Sequence, residues 1–228
     1  MIAPGTSAFY DAWAADGPEA ERSAISRRFE AAFTRGARVL DVGCGKGRDV
    51  VALLETGFDA WGVEPNDAMR ARALARDPRV AGRIAAAALP GLGQPFGGGF
   101  DAVVCSAVLM HVSPEDLPGA LQALVSVLRL AGRLLLALPE MRADLLAGGC
   151  DPDGRQFANH PPERVESLLA AQGLALLRCD EIATSSTDTR WRTLLFERQG
   201  RSAEGVTRHV SRDPDGGPPS ASVPPHAP

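Results

Sequence analysis

Three glycines spaced two apart, Gly43, Gly45 and Gly47, separate two apolar runs: Val39, Leu40 and Val42 before them, Val50, Ala52, Leu53 and Leu54 after. The first run reads as a short buried strand and the second as the inward stripe of a helix. A chain that passes from strand to helix through Gly-x-Gly-x-Gly has few side chains to keep a ligand from its backbone. The helix points unpaired N–H groups and the positive end of its dipole at the same place. The stretch Arg38 to Val50 therefore predicts an α/β domain with a site for a polar or anionic group beside its first strand.

Two acids narrow that ligand. Asp41 lies at the carboxyl end of the strand, and Glu64 ends the next apolar run, Asp59-Ala60-Trp61-Gly62-Val63. An acid one strand–helix–strand unit after the glycines is placed to take both hydroxyls of a ribose. With Leu40-Asp41-Val42-Gly43-Cys44-Gly45-Lys46-Gly47-Arg48-Asp49 in view, the chain resembles the class I S-adenosylmethionine-dependent methyltransferases, nearest to small-molecule and tellurite-resistance-type members. The resemblance covers roughly residues 36–138 well and the flanks loosely. A nicotinamide dehydrogenase loop, Gly-x-Gly-x-x-Gly, would need glycine where Arg48 stands. The acid before the first glycine also suits a donor whose ammonium needs a negative or carbonyl partner.

The resemblance implies a Rossmann-like three-layer sandwich. Its sheet is seven-stranded and mostly parallel with an antiparallel last strand, and a helical cap precedes it. It divides the chain into residues 1–35 as the cap, 36–200 as the S-adenosylmethionine-binding methyltransferase domain, and 201–228 as a Pro/Gly-rich tail expected to be disordered. For the cofactor it implies contacts from Asp41, Gly43, Cys44, Gly45 and Gly47 in the loop, and from Glu64, Pro65 and Met69 after the second strand. Ser106, after the fourth strand, belongs to the same set. The family's acid after the third strand is missing, since Ala85-Ala86-Ala87-Ala88 stands there, which leaves main-chain groups near Ala86 and Ala87 to meet the adenine. Tyr10 and Trp13 are either lid residues facing the cofactor or aromatics anchoring a helix to the core.

Length and charge bound the rest. At 228 residues the chain holds one full α/β core, and a net charge of −4 gives no whole-chain attraction to nucleic acid. Cys44, Cys105, Cys150 and Cys179 have no metal-ligand spacing and read as reduced thiols in a cytoplasm. The most apolar region, Leu121 to Leu138, is broken by Arg129, Gly132 and Arg133, so no membrane span is expected.

Along the chain, Ile25, Phe29 and Phe33 repeat at helical spacing, and Asn66 or Asp67 caps a helix to about Arg76 with Met69 and Leu74 inward. Residues 80–86 read as a weak third strand and Phe100–Cys105 as a buried fourth. A helix from Pro114 or Glu115 to Leu128 carries Leu117, Leu121, Leu124 and Leu128 on one stripe. Leu134–Leu138, Leu174–Cys179 and Trp191–Glu197 complete the strands, and the long loop 139–160 is expected beside the acceptor pocket. The segment Cys105-Ser106-Ala107-Val108 carries neither the Asp/Asn-Pro-Pro-aromatic nor the Pro-Cys signature of DNA-base methylation.

Methyl transfer from a sulfonium is an in-line displacement, so positioning is the protein's main task. His111 is the candidate base or a histidine packed against backbone, His160 a helix cap, and Arg142, Arg155 and Arg190 candidates to hold an acidic acceptor. The expected activity is methylation of a small molecule, with no membrane or nucleic-acid partner. The alternative is a non-catalytic domain that binds the same ligand.

Overall fold

Strands apolar on both faces need helices on both sides. In the computed structural model, which describes residues 3–17, 23–182 and 188–200, β1 (Arg38–Val42) turns Val39 to one face of the sheet and Leu40 and Val42 to the other, all three buried. β4 (Phe100–Ser106) and β5 (Leu128–Met141) repeat the alternation, with Val103 and Leu134 on one face and Val104 and Leu135 on the other. The remaining strands are β2 (Asp59–Val63), β3 (Ile84–Ala85), β6 (Leu174–Ile182) and β7 (Thr189–Arg198).

The sheet has seven strands in the order β3-β2-β1-β4-β5-β7-β6. β7 runs antiparallel to both neighbours and the remaining pairings are parallel, as expected. On one face pack α5 (Leu117–Val127) and α6 (Pro162–Ala170), through Leu117, Leu121, Val165 and Leu169. On the other lie α2 (Phe29–Ala32), α3 (Arg48–Glu55) and α4 (Asp67–Arg76), through Phe29, Val50, Leu53 and Ala73. Each fully buried Leu or Phe stabilises the sandwich by about 1.5–3 kcal/mol. The N-terminal helix α1 (Pro4–Asp16) lies outside both layers, at the carboxyl ends of the parallel strands. Strand order reverses between β1 and β4, and a crevice opens there.

Several boundaries differ from expectation, each for a local reason. The third strand shrinks to Ile84–Ala85 because Val80 sits in a 3-10 turn and Gly82 takes φ +72°. Leu74 is 51% exposed, and Ala73, four residues after Met69, is the inward residue. α5 starts at Leu117 because Ser113 first makes a turn, its carbonyl and hydroxyl both accepting from the Asp116 N–H. β5 begins at Leu128, with a register shift against β4 and Ala131 at φ +58° before the expected Leu134 start. Residues 201–228, the expected tail, lie outside the described residues.

Candidate functional site

The glycine turn is shaped by what packs on it. Gly43 takes φ +73°, and a Cβ there would meet Val108 Cγ2 at 2.4 Å, so the segment after β4 rests directly on the glycine. The Gly43 and Cys44 N–H groups both donate to the Val63 carbonyl, at 2.8 and 3.0 Å, which ties the end of β1 to the end of β2. Gly47 precedes α3 at φ +71°, where a Cβ would lie 2.9 Å from Ala73 Cβ on α4. The Cys44 sulfur packs against Gly62, and burial pushes its thiol well up, so it is no nucleophile.

Three carboxylates surround this turn. Glu64 Oε2 accepts from the Gly45 N–H at 3.0 Å and Oε1 from the Asn66 N–H at 2.8 Å. Burial raises its pKa, and those two hydrogen bonds pull it back. Asp49 accepts from the Ser23 hydroxyl at 2.6 Å. Asp41 is 3% exposed, and among the described residues no hydrogen-bond donor reaches its carboxylate. Burial raises it well above the usual carboxylate range, the Asp49 charge adds to that, and Arg48 opposes it. A carboxylate that meets the cleft with no donor of its own suits a cationic ligand.

The turn forms one wall of a cleft of about 410 Å³, and α1 forms the wall opposite. The helix is fastened along its length. Thr6 Oγ1 accepts from the Gln156 N–H at 2.8 Å, and Asp11 accepts from Asn66 Nδ2 at 2.7 Å. Lys46, the single lysine of the chain, donates from Nζ to the Gly17 carbonyl at 2.9 Å. Gly5 lies so close to Gly154 that a Cβ would be 2.7 Å from its carbonyl oxygen.

His111 sits in the 3-10 turn Leu109–His111 after β4. Its Nδ1 is 2.7 Å from the Gln156 carbonyl, which only accepts, so Nδ1 carries the proton. Nε2 is then the acceptor for the Tyr10 hydroxyl, at 2.8 Å. Burial lowers the His111 pKa and keeps the ring neutral, while burial raises Tyr10 against the opposing Arg155 guanidinium. His160 caps no helix: its Nε2 lies 2.9 Å from the Leu109 carbonyl and 3.1 Å from that of Val112, so it holds the turn that carries His111.

Of the residues singled out from sequence, Tyr10, Trp13, Asp41, Gly43, Cys44, Gly45, Glu64, Pro65, Met69, Ala87, Ser106 and His111 all line the cleft. Gly47 and Ala86 do not: Gly47 packs α4 onto the loop, and Ala86 is exposed just before Ala87 enters the wall. Arg155 lines the cleft, but its Nε donates to the buried Asp151 at 2.7 Å. Arg142 pairs with Asp144 and Asp188, and Arg190 with Glu140. Phe9, Phe157 and Trp191 also line the cleft, and sequence reading missed them as site residues. Its place as an aromatic inside the long loop 139–160 was the one signal available for Phe157.

A family model described as a methyltransferase domain matches residues 13–178. Glycine N-methyltransferase of Oryctolagus cuniculus is 35% identical over 138 residues, covering 53% of this chain and 46% of that protein. Ubiquinone biosynthesis O-methyltransferase of Xanthomonas axonopodis pv. citri is 33% identical over 135 residues, covering 55% and 54%. The chain thus spans about half the length of the curated relatives it matches. In fold it is similar to the Burkholderia thailandensis 1,6-didemethyltoxoflavin-N1-methyltransferase, solved with bound 1,6-didemethyltoxoflavin and S-adenosylhomocysteine. The TM-score is 0.68 at 21% identity, over 88% of this chain and 92% of that one. No helix among the described residues is long and apolar enough to cross a membrane.

Proposed function

Because the chain belongs to the methyltransferase-domain family, we propose that it is an S-adenosylmethionine-dependent methyltransferase whose cleft holds donor and acceptor together. The observation that carries this reading is the placement of Asp41, Glu64 and the glycine turn on one wall of a cleft that α1 covers. The residues fit the donor. Glu64 spends one lone pair per oxygen on backbone N–H groups and keeps others for ribose hydroxyls. Asp41 has no donor among the described residues and suits the ammonium. Pro65 and Met69 would flank the adenosine, Ala87 would meet the adenine through its main chain, and Tyr10 would close over the ligand from α1.

Bound there, S-adenosylmethionine supplies an electrophilic methyl carbon on a sulfonium that leaves as a neutral thioether. The protein's task is to hold the acceptor's lone pair in line with that carbon, which supplies on the order of 7–11 kcal/mol of barrier reduction. No covalent enzyme intermediate is needed. His111 lines the cleft, but its Nε2 is taken by the Tyr10 hydroxyl at 2.8 Å, so a proton leaving the acceptor has to pass through that bond or displace it, which keeps His111 an accessory base. In this reading residues 1–35 serve as the cap and residues 36–200 as the binding domain. The relatives support a small-molecule acceptor, and four free cysteines are consistent with the cytoplasmic location this reading adopts. Formation of S-adenosylhomocysteine in the presence of an acceptor tests the reading. Binding with no turnover across phenol, amine and carboxylate acceptors would leave a non-catalytic ligand-binding domain.

A further inference from the structure

The cleft has two chemically distinct halves. The half built on β1, β2, α3 and α4 is crowded with charge: Asp41, Asp49, Glu64, Lys46, Arg48 and Arg76. The half built on the ends of β4 and β5, the start of β7 and the facing side of α1 is aromatic. It holds Phe9, Tyr10, Phe157 and Trp191, which include the chain's single tyrosine, and Trp13 continues the row along α1 towards Gly17, whose carbonyl meets Lys46 of the charged half. Three of these rings are in contact along α1. Phe9 and Trp13 stack at 5.5 Å with 25° between their planes, and Tyr10 meets Phe9 edge-on at 5.3 Å.

Among the described residues, Arg155 is the one permanently charged side chain lining this aromatic half. It is already engaged. Nε donates to Asp151, whose side chain is fully buried, a second nitrogen lies 3.2 Å from Asp153, and the guanidinium carbon lies 4.4 Å over the Phe9 ring. Drawing Arg155 off to an acidic ligand would strand the Asp151 carboxylate in the interior. Two acids flank this one cation, so the cluster offers no net positive charge.

The polar group on the aromatic wall has a fixed direction. The Gln156 carbonyl takes the His111 Nδ1 proton, His111 Nε2 takes the Tyr10 proton, and the Tyr10 oxygen is left with lone pairs. The Arg155 guanidinium lines the same wall, where burial raises the Tyr10 pKa and the Arg155 charge pulls it down. What remains is an acceptor, which a hydroxyl or ring N–H on the ligand satisfies and a carboxylate, acceptor-only itself, does not.

We infer that the methyl acceptor is a flat, uncharged aromatic compound that presents a hydroxyl or ring N–H to the Tyr10 oxygen. The inference rests on the methyl-transfer reading only for calling this ligand the acceptor. The two are tested apart by titrating the full chain with S-adenosylhomocysteine, and, with and without it, with four probes: 2-naphthol, 2-methoxynaphthalene, 2-naphthoate and glycine. The expected result is that 2-naphthol binds about tenfold more tightly than its methyl ether, the worth of one hydrogen bond, and more tightly still than the naphthoate. Tyr10→Phe should erase the preference of naphthol over the ether and keep the ring affinity. Naphthoate or glycine binding as well as naphthol, no naphthalene binding at all, or no preference over the ether in the wild type overturns the inference. Failure of S-adenosylhomocysteine to bind overturns the methyl-transfer reading instead, whatever the probes do.

Discussion

The Tyr10 hydroxyl donates to His111 Nε2 across 2.8 Å, joining residues 101 positions apart in the chain. The histidine lines the cleft with its Nε2 occupied by the tyrosine rather than open to a ligand. Catalysis by positioning follows, and His111→Ala should lower turnover by less than about tenfold and leave donor affinity unchanged. A positioned base contributes roughly 10²–10⁴-fold. A loss in that range, rescued by imidazole or by raising the pH, would make His111 the base.

Gly43 is held by sterics. Gly43→Ala puts a Cβ against Val108 and forces φ +73° on a residue with a side chain. Thermal or urea unfolding should show a loss of about 1–3 kcal/mol. Val108→Ala added to it should restore part of that loss, since it removes the clash and leaves the strain. No recovery in the double variant would place the cause elsewhere.

Glu64 holds the fold through two backbone N–H groups and, in the proposed function, holds the ligand as well. Glu64→Ala should weaken binding of S-adenosylhomocysteine by about 1.5–3 kcal/mol, the scale of hydrogen bonds to a charged group. It also leaves the Gly45 and Asn66 N–H groups without their carboxylate. Glu64→Gln should recover part of the affinity. An unchanged dissociation constant in a folded Glu64→Ala protein would assign the ribose to another residue.

The glycine turn was legible in the sequence because strand, helix and ligand chemistry there lie within a few consecutive residues. Val39, Leu40 and Val42 announce β1, and Asn66 announces the start of α4, whose side chain accepts from the Met69 N–H at 2.9 Å. The aromatic half was not legible as a unit. Tyr10 meets His111, Thr6 meets Gln156, and Arg155 lies over Phe9, all contacts made by folding a distant helix over the sheet. Periodicity reports which face of a helix is apolar, and it cannot say that the face of α1 lies over a cleft. The packing partners of Gly47 and His160, Ala73 on α4 and the carbonyls of Leu109 and Val112, are likewise tertiary neighbours.

Asp41 sets a pH dependence with a definite sign. Its folded pKa is raised, by burial first and then by Asp49, with Glu64 adding and Arg48 opposing. A raised carboxyl contributes stability that is fully present below its unfolded value and is lost as pH rises through the folded value. Relative to Asp41→Asn, the ligand-free wild type should therefore lose stability as pH climbs from about 4 towards neutrality. The same substitution should weaken S-adenosylmethionine binding at neutral pH. Melting curves of the two proteins that run parallel across that range would contradict the assignment.

The claim on which everything else depends is that the cleft beside Gly43, Asp41 and Glu64 takes S-adenosylmethionine. Calorimetric titration of the wild-type chain with S-adenosylmethionine, S-adenosylhomocysteine and NAD tests it directly. The expected result is saturable binding of both adenosyl ligands at one site per chain, with no heat from NAD. Binding of NAD with no response to either adenosyl ligand would contradict it.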